Sequence, residues 1–178
     1  MGHGKWRRLI DRLRGGVDMR PSVDNYFIDM AKLVATRGTC IRRKVGCVLV
    51  NKRNHVIATG YNGVAAGFTH CLDHPCPGAD QPSGSGLDMC EASHAEQSAL
   101  LQCRDVYEIH TLYSTTSPCI QCIKLLLNTS CQRIVFAEEY PHGISKQLWL
   151  SAGREWVQHG AEVQETNTQP ESVAIIRT

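Results

Sequence analysis

The chain has 178 residues, 42% of them hydrophobic and 20% charged, with a formal net charge of +2. That length is enough for one globular domain with its own core and without stabilising disulfides, and the apolar content matches an ordinary soluble protein. The small net charge does not by itself argue for a nucleic-acid surface, and no apolar run reaches the roughly 18 residues of a membrane span.

The first twenty residues are locally basic, with Lys5, Arg7, Arg8, Arg12, Arg14 and Arg20 against Asp11 and Asp18. Trp6, Leu9, Ile10 and Leu13 fall at helical spacing, so residues 1–20 read as an amphipathic arm that docks on its own domain or on a neighbouring subunit. A contact with nucleic acid or membrane is the alternative. The arm lacks the apolar core and small-residue cleavage site of a secretory signal, so a cytoplasmic setting is expected, or the host cytoplasm for a virus-encoded protein. In that reducing setting nine cysteines read as core residues, ligands or catalysts rather than as disulfides.

Residues 21–166 read as the catalytic domain and 167–178 as a patternless tail. Ser22 is placed to cap a helix whose apolar face is Phe27, Met30, Ala31 and Val34, with Gly38 marking its end. "VGCVLVN" (45–51) and "HVIATGYN" (55–62) read as strands joined by a polar turn. The stretch from His74 to Gly86 holds three prolines, three glycines and two serines, which excludes a regular element; long loops of this kind are usually functional or disordered.

A helix is expected from about Ser93 to Cys103, a strand over 110–116, and a helix over "PCIQCIKLLLNT" with Pro118 at its first position. "RIVFAEE" reads as the next strand, residues 144–159 as a helix, and "AEVQET" (161–166) as a last short strand. Strands alternating with helices predict an α/β fold, a three-layer αβα sandwich around a mixed sheet of about five strands.

The chemistry gathers at two predicted helix starts. Cys119 and Cys122 are three apart and share one face of a first turn, where both sulfurs can reach one ion. Partial positive charge at a helix N-terminus favours the thiolate that zinc requires. With His94 the set has one nitrogen and two sulfurs, which suits Zn2+, and leaves a fourth position open for water, as catalytic zinc sites do. Glu96 supplies a carboxylate for the proton work. Residues two apart diverge in a helix interior, so His94 and Glu96 can converge only beyond the helix end. Alone, C-x-x-C is equally a redox pair or half of a closed zinc ribbon; H-A-E followed by S-P-C-x-x-C is the signature of zinc deaminases acting on nucleobases.

From about Tyr26 to Val163 the chain resembles the cytidine and deoxycytidylate deaminase superfamily, and within it most the deoxycytidylate deaminases. The resemblance is carried in order by "TCIRRKVGCVLV", "GYNG", the cysteine-bearing loop, "HAEQSALL", "TTSPCIQC" and "RIVFAEEY". It implies hydrolysis of dCMP to dUMP and ammonia, which feeds dTMP synthesis, with Glu96 as the catalytic proton carrier. It also implies Asn62 on the sugar, backbone around Ala95 reading the pyrimidine edge, Ser117 beside the leaving amine, Arg42 meeting the 5′-phosphate, and Tyr140 as the aromatic after the fourth strand. A homo-oligomer, favoured as a hexamer, with dCTP as activator, dTTP as inhibitor and Mg2+ accompanying the nucleotide effector, belongs to the same set of implications.

Bland readings stand beside these: Asn62 as a turn residue before Gly63, and Arg42, Arg43 and Lys44 as a solvated charge run. Pro141 and His142 follow Tyr140 where many relatives carry an arginine, so phosphate recognition is expected to differ and dCTP stays open as a substrate. Cys71, Cys76 and Cys90, with His70 or His74 as a fourth ligand, are the candidates for a second, structural zinc that orders the loop; reduced, metal-free cysteines are the alternative. The rival functions are deamination of a base in nucleic acid and a non-catalytic zinc-binding assembly module.

Overall fold

The computed structural model describes residues 20–82, 85–141 and 143–160. The basic arm (1–19), the expected strand over 161–166 and the tail lie outside the described residues. The elements run α1 (Val23–Ala35), β1 (Gly46–Val50), β2 (Val56–Tyr61), a short 3-10 turn (Leu87–Met89), α2 (Ala95–Gln102), β3 (Thr111–Thr116), α3 (Ile120–Leu126), β4 (Arg133–Glu138), α4 (Ile144–Ser151) and β5 (Glu155–Gln158). The sheet order is β2-β1-β3-β4-β5. β1 pairs antiparallel with β2 and with β3, whereas β3, β4 and β5 run parallel. This is the mixed five-strand α/β sheet expected from the sequence.

Ser22 caps α1 by accepting the Asn25 N–H at 3.1 Å, and the helix buries Phe27, Ile28, Ala31 and Ala35 on one sheet face. That face is completed by Val48, Val50, Tyr113 and Val135. The opposite face holds the larger core, where Cys47, Leu49, Leu112, Ile134 and Phe136 meet Ala95, Ala99, Ile123, Leu126 and Trp149 from the three other helices. Helices therefore cover both faces. β1 lies between two layers of side chains, which explains why "GCVLV" is apolar at every position instead of alternating.

Two glycines set the spacing of these layers. A Cβ at Gly46 would run into the carbonyl of Ala31 on α1, and a Cβ at Gly60 would run into Ala95 and Ala99 on α2. The second contact matters for function, because it lets α2 lie directly on β2 and fixes where its N-terminus points.

The helix expected over 144–159 is shorter. Gly153 adopts a left-handed φ of 73° after the last turn, and the chain then extends into β5. Trp156 in β5 packs on Phe136 with ring centroids 5.0 Å apart, and the Trp149 indole N–H donates to the Glu155 carbonyl at 2.8 Å. Two large aromatics that suggest one helix face in sequence thus belong to two elements. Pro118 is likewise outside α3, just ahead of its N-cap Cys119.

An ion pair ties α1 to the sheet. Arg133 donates from both terminal nitrogens to the two Asp24 oxygens at 2.8 Å, and the Tyr113 hydroxyl donates to Asp24 at 2.8 Å. The Arg133 guanidinium holds the Asp24 carboxyl below its ordinary range, against the opposing effect of burial. A depressed folded-state value means that this stabilisation is present above the unfolded value near 3.8 and is lost as pH falls through the lower folded one. Asp24→Asn is therefore expected to cost about 1–3 kcal/mol at pH 7. Urea unfolding at pH 7 and under strongly acidic conditions checks this, since the difference between wild type and variant should vanish on the acid side.

Candidate metal centre and active site

His94 is the N-cap of α2, with extended backbone (φ −75°, ψ 157°), and Cys119 is the N-cap of α3 in a similar conformation (φ −71°, ψ 168°). Both caps stand outside their helices. This resolves the two-residue spacing of His94 and Glu96, because only Glu96 follows the helical screw. The Gln97 side chain locks the α2 cap by accepting the His94 backbone N–H at 2.8 Å.

The donor atoms converge. Cys119 Sγ and Cys122 Sγ are 3.8 Å apart, and His94 Nδ1 is 3.3 Å from the first and 3.4 Å from the second. A tetrahedral ion with Zn–S bonds of about 2.3 Å and a Zn–N bond of about 2.0 Å sets such atoms about 3.5–3.8 Å apart. The set fits zinc. Among the described residues it is also the one group of three ligating side chains within mutual reach.

The protons in this group are shared unevenly. Cys119 is held down to about 4, first by the Cys122 thiol donating to it and also by His94, while Cys122 is pushed up by its partner sulfur and by burial. The contact with Cys119 raises His94. One thiolate is thus already prepared, and a bound cation has to displace the second proton.

Glu96 is 4% exposed, and its carboxyl touches the Cys122 thiol. Burial is the main cause pushing it above the ordinary carboxylate range. A carboxyl poised to exchange a proton, beside the three ligands, is what general acid and base work requires.

His94, Glu96 and Cys119 open onto a cleft of about 100 Å³, walled also by Asn62, Ala95, Ser117, Arg42, Arg43 and Tyr140. Every residue expected at the substrate therefore reaches one cavity. Ser117, 3% exposed, is pinned through its backbone N–H to the Glu138 carbonyl at 2.8 Å, and its hydroxyl oxygen accepts the Tyr140 N–H at 2.7 Å. Asn62 accepts the Val45 N–H at 2.8 Å and donates to the Arg43 carbonyl at 2.7 Å. It is thus a structural tie between "GYNG" and the approach to β1, and each end of its amide keeps one further hydrogen-bonding position.

The loop cysteines form a separate group. Cys71 Sγ and Cys76 Sγ are 3.7 Å apart, and Cys90 contacts Cys76. His70 is turned to solvent beside Asp73, with its Nδ1 3.9 Å from the carboxylate, and His74 is exposed. The expected histidine ligand is not supplied, because the 70–74 turn points both rings outward. Arg43, read from sequence as part of a solvated charge run, stands on the cleft wall, as do Thr116 and Cys40, to which the sequence assigns no role. Three adjacent basic residues give no sign of how each guanidinium is spent, and Cys40 belongs to none of the ligand spacings read from the sequence.

Residues 21–138 match the family model of the cytidine and deoxycytidylate deaminase zinc-binding region. The chain belongs to this family. It is 41% identical over 124 residues to deoxycytidylate deaminase of Saccharomyces cerevisiae, a match covering 68% of this chain and 39% of the yeast protein. Against deoxycytidylate deaminase of Mycobacterium phage D29 it is 41% identical over 127 residues, covering 67% of this chain and 98% of the phage protein. Among solved structures, dCMP deaminase from the cyanophage S-TIM5 in complex with dCMP and dUMP superposes with a TM-score of 0.63 at 27% identity, covering 77% of this chain and 96% of that one. The chain spans about two fifths of the length of the fungal relatives that it matches.

Replacing one ligand, as in His94→Ala or Cys122→Ser, is expected to lower bound zinc from about one per chain towards zero. Elemental analysis after gel filtration would read it. Because protons on His94 and the thiols compete with the ion, zinc should also be released from the wild type on acidification.

Proposed function

We propose that the protein is a zinc-dependent dCMP deaminase that hydrolyses dCMP to dUMP and ammonia and so feeds dTMP synthesis. The observation that carries the reading is the buried Glu96 carboxyl beside a three-ligand His/Cys/Cys group, in a cleft that also gathers Asn62, Ser117, Tyr140 and two arginines. Similarity over two thirds of the chain to deoxycytidylate deaminases, one of them a phage protein matched over 98% of its length, supports the substrate.

Zinc held by His94, Cys119 and Cys122 would supply Lewis acidity that lowers the pKa of a water molecule towards neutrality. Glu96 takes the proton released as that water attacks C4 of the cytosine ring, delivers it to N3, and then carries a proton to the departing amine. The C4–N4 bond breaks as the C4 carbonyl forms. The second position on the Asn62 amide meets the sugar, backbone around Ala95 reads the pyrimidine edge, and Ser117 sits by the leaving amine, with Tyr140 closing that side. The phosphate lies towards the arginines at the mouth of the cleft.

The resemblance also supports a homo-oligomer, favoured as a hexamer, in which dCTP activates, dTTP inhibits and Mg2+ accompanies the effector. All nine cysteines are free, and no helix among the described residues is long and apolar enough to cross a membrane. Both features suit work in a cytoplasm, including that of a host. A second zinc would rest on Cys71, Cys76 and Cys90, with a fourth ligand still to be supplied; a measured content near two zinc ions per chain, against one, decides it.

Incubating zinc-loaded protein with dCMP should release dUMP and ammonia, and Glu96→Gln should lower kcat by roughly 10²- to 10⁴-fold with zinc content unchanged. No turnover of dCMP, with and without dCTP, would overturn the reading. Faster turnover of cytosine in an oligonucleotide would favour the nucleic-acid alternative.

A further inference from the structure

We propose that Arg43, rather than Arg42, is the residue that selects a phosphorylated substrate, while Arg42 serves to hold the cysteine-bearing loop. The inference rests on the nucleotide reading above and assigns its phosphate contact.

The two neighbouring guanidiniums are committed differently. Arg42 Nη2 donates to the carbonyl oxygens of Pro82 and Ser85, the latter at 3.0 Å, so its donors are directed at the backbone of the long loop. That contact clamps a proline- and glycine-rich segment whose ordering otherwise costs conformational entropy.

Arg43 has a rigid base and a loosely held head. Its carbonyl is fixed by the Asn62 amide at 2.7 Å, and the next residue's N–H is fixed by the same side chain at 2.8 Å. Its guanidinium makes two long contacts, 3.5 Å from Nη1 to Thr116 Oγ1 and 3.5 Å from Nη2 to Glu138 Oε2. The Arg43 side chain is 35% exposed, whereas that of Glu138 is 70% exposed. So exposed an ion pair is worth little and is readily exchanged.

Thr116 and Glu138 end β3 and β4, the two strands that lead to Ser117 and Tyr140, so the Arg43 fork stands over the same edge of the cleft as those residues. A planar fork with two weakly used nitrogens matches the bidentate geometry of a phosphate, which carries more charge than the carboxylate it would displace. Arg43 meets the phosphate charge from that edge.

The test uses the product pair dUMP and deoxyuridine, which differ only in the phosphate and are not consumed. Calorimetric titration of the full zinc-loaded chain gives the ratio of their affinities. In Arg43→Gln that ratio should fall roughly 10- to 100-fold. In Arg43→Lys it should fall by less, because charge survives without the fork. In Arg42→Gln it should stay within about threefold of wild type, and in Glu138→Gln it should rise, because the competitor for the guanidinium is gone. Circular dichroism confirms that each variant is folded. A ratio unchanged in Arg43→Gln, a collapse in Arg42→Gln instead, or no preference for dUMP in the wild type would overturn the assignment. Ammonia release from dCMP is measured in parallel: its absence beside an intact dUMP preference sinks the deaminase reading and leaves the Arg43 contact standing.

Discussion

The seating of α2 on the sheet at Gly60 is the constraint from which the site follows. Where a Cβ would collide with Ala95 and Ala99, the absent side chain lets the helix lie close against β2. Ala95 and Ala99 are small and fully buried at that contact. The close seating directs His94 and Glu96 towards the end of β3, from which Cys119 and Cys122 rise on α3. Because interiors are tightly packed, a shift of this helix would move one ligand relative to the other two.

The parallel arrangement of β3 and β4 contributes the second half. A parallel pair needs a crossover helix, and α3 is that crossover, with its N-terminus at the carboxyl end of β3. The ligand pair therefore sits at the end of a sheet where open α/β folds place their ligands. The carbonyl of Glu138 and the backbone of Tyr140, at the end of the neighbouring strand, hold Ser117 in place. The ligand pair and the Ser117–Tyr140 contact thus share one edge, while the Asp24–Arg133 pair secures α1 on the far face.

Much of this was legible from residue patterns. The strands at 46–50, 56–61, 111–116 and 133–138 and the helices at 23–35, 95–102 and 120–126 lie within the segments expected, because each carries a long apolar signal and a recognisable cap or turn. The fold class followed from their alternation. β5 did not, since its four residues offer no strand signal of their own: Trp156 and Val157 look like a continuation of α4 until Gly153 turns the chain and pairing with β4 rewards extension.

At the site, the sequence by itself determined which side chains could gather around an ion. A histidine, a carboxylate and two cysteines at fixed spacings from two helix starts leave little freedom, because cap geometry is local. Tertiary structure alone decided which side chains share the cleft and which are spent elsewhere. The choice between Arg42 and Arg43, the tie that Asn62 makes to Val45 and Arg43, and the outward turn of His70 and His74 all depend on partners 17 to 43 residues away or on the course of a loop with no periodic pattern. Side-chain direction in such segments is set by the hydrogen bonds available after folding, which no local propensity encodes.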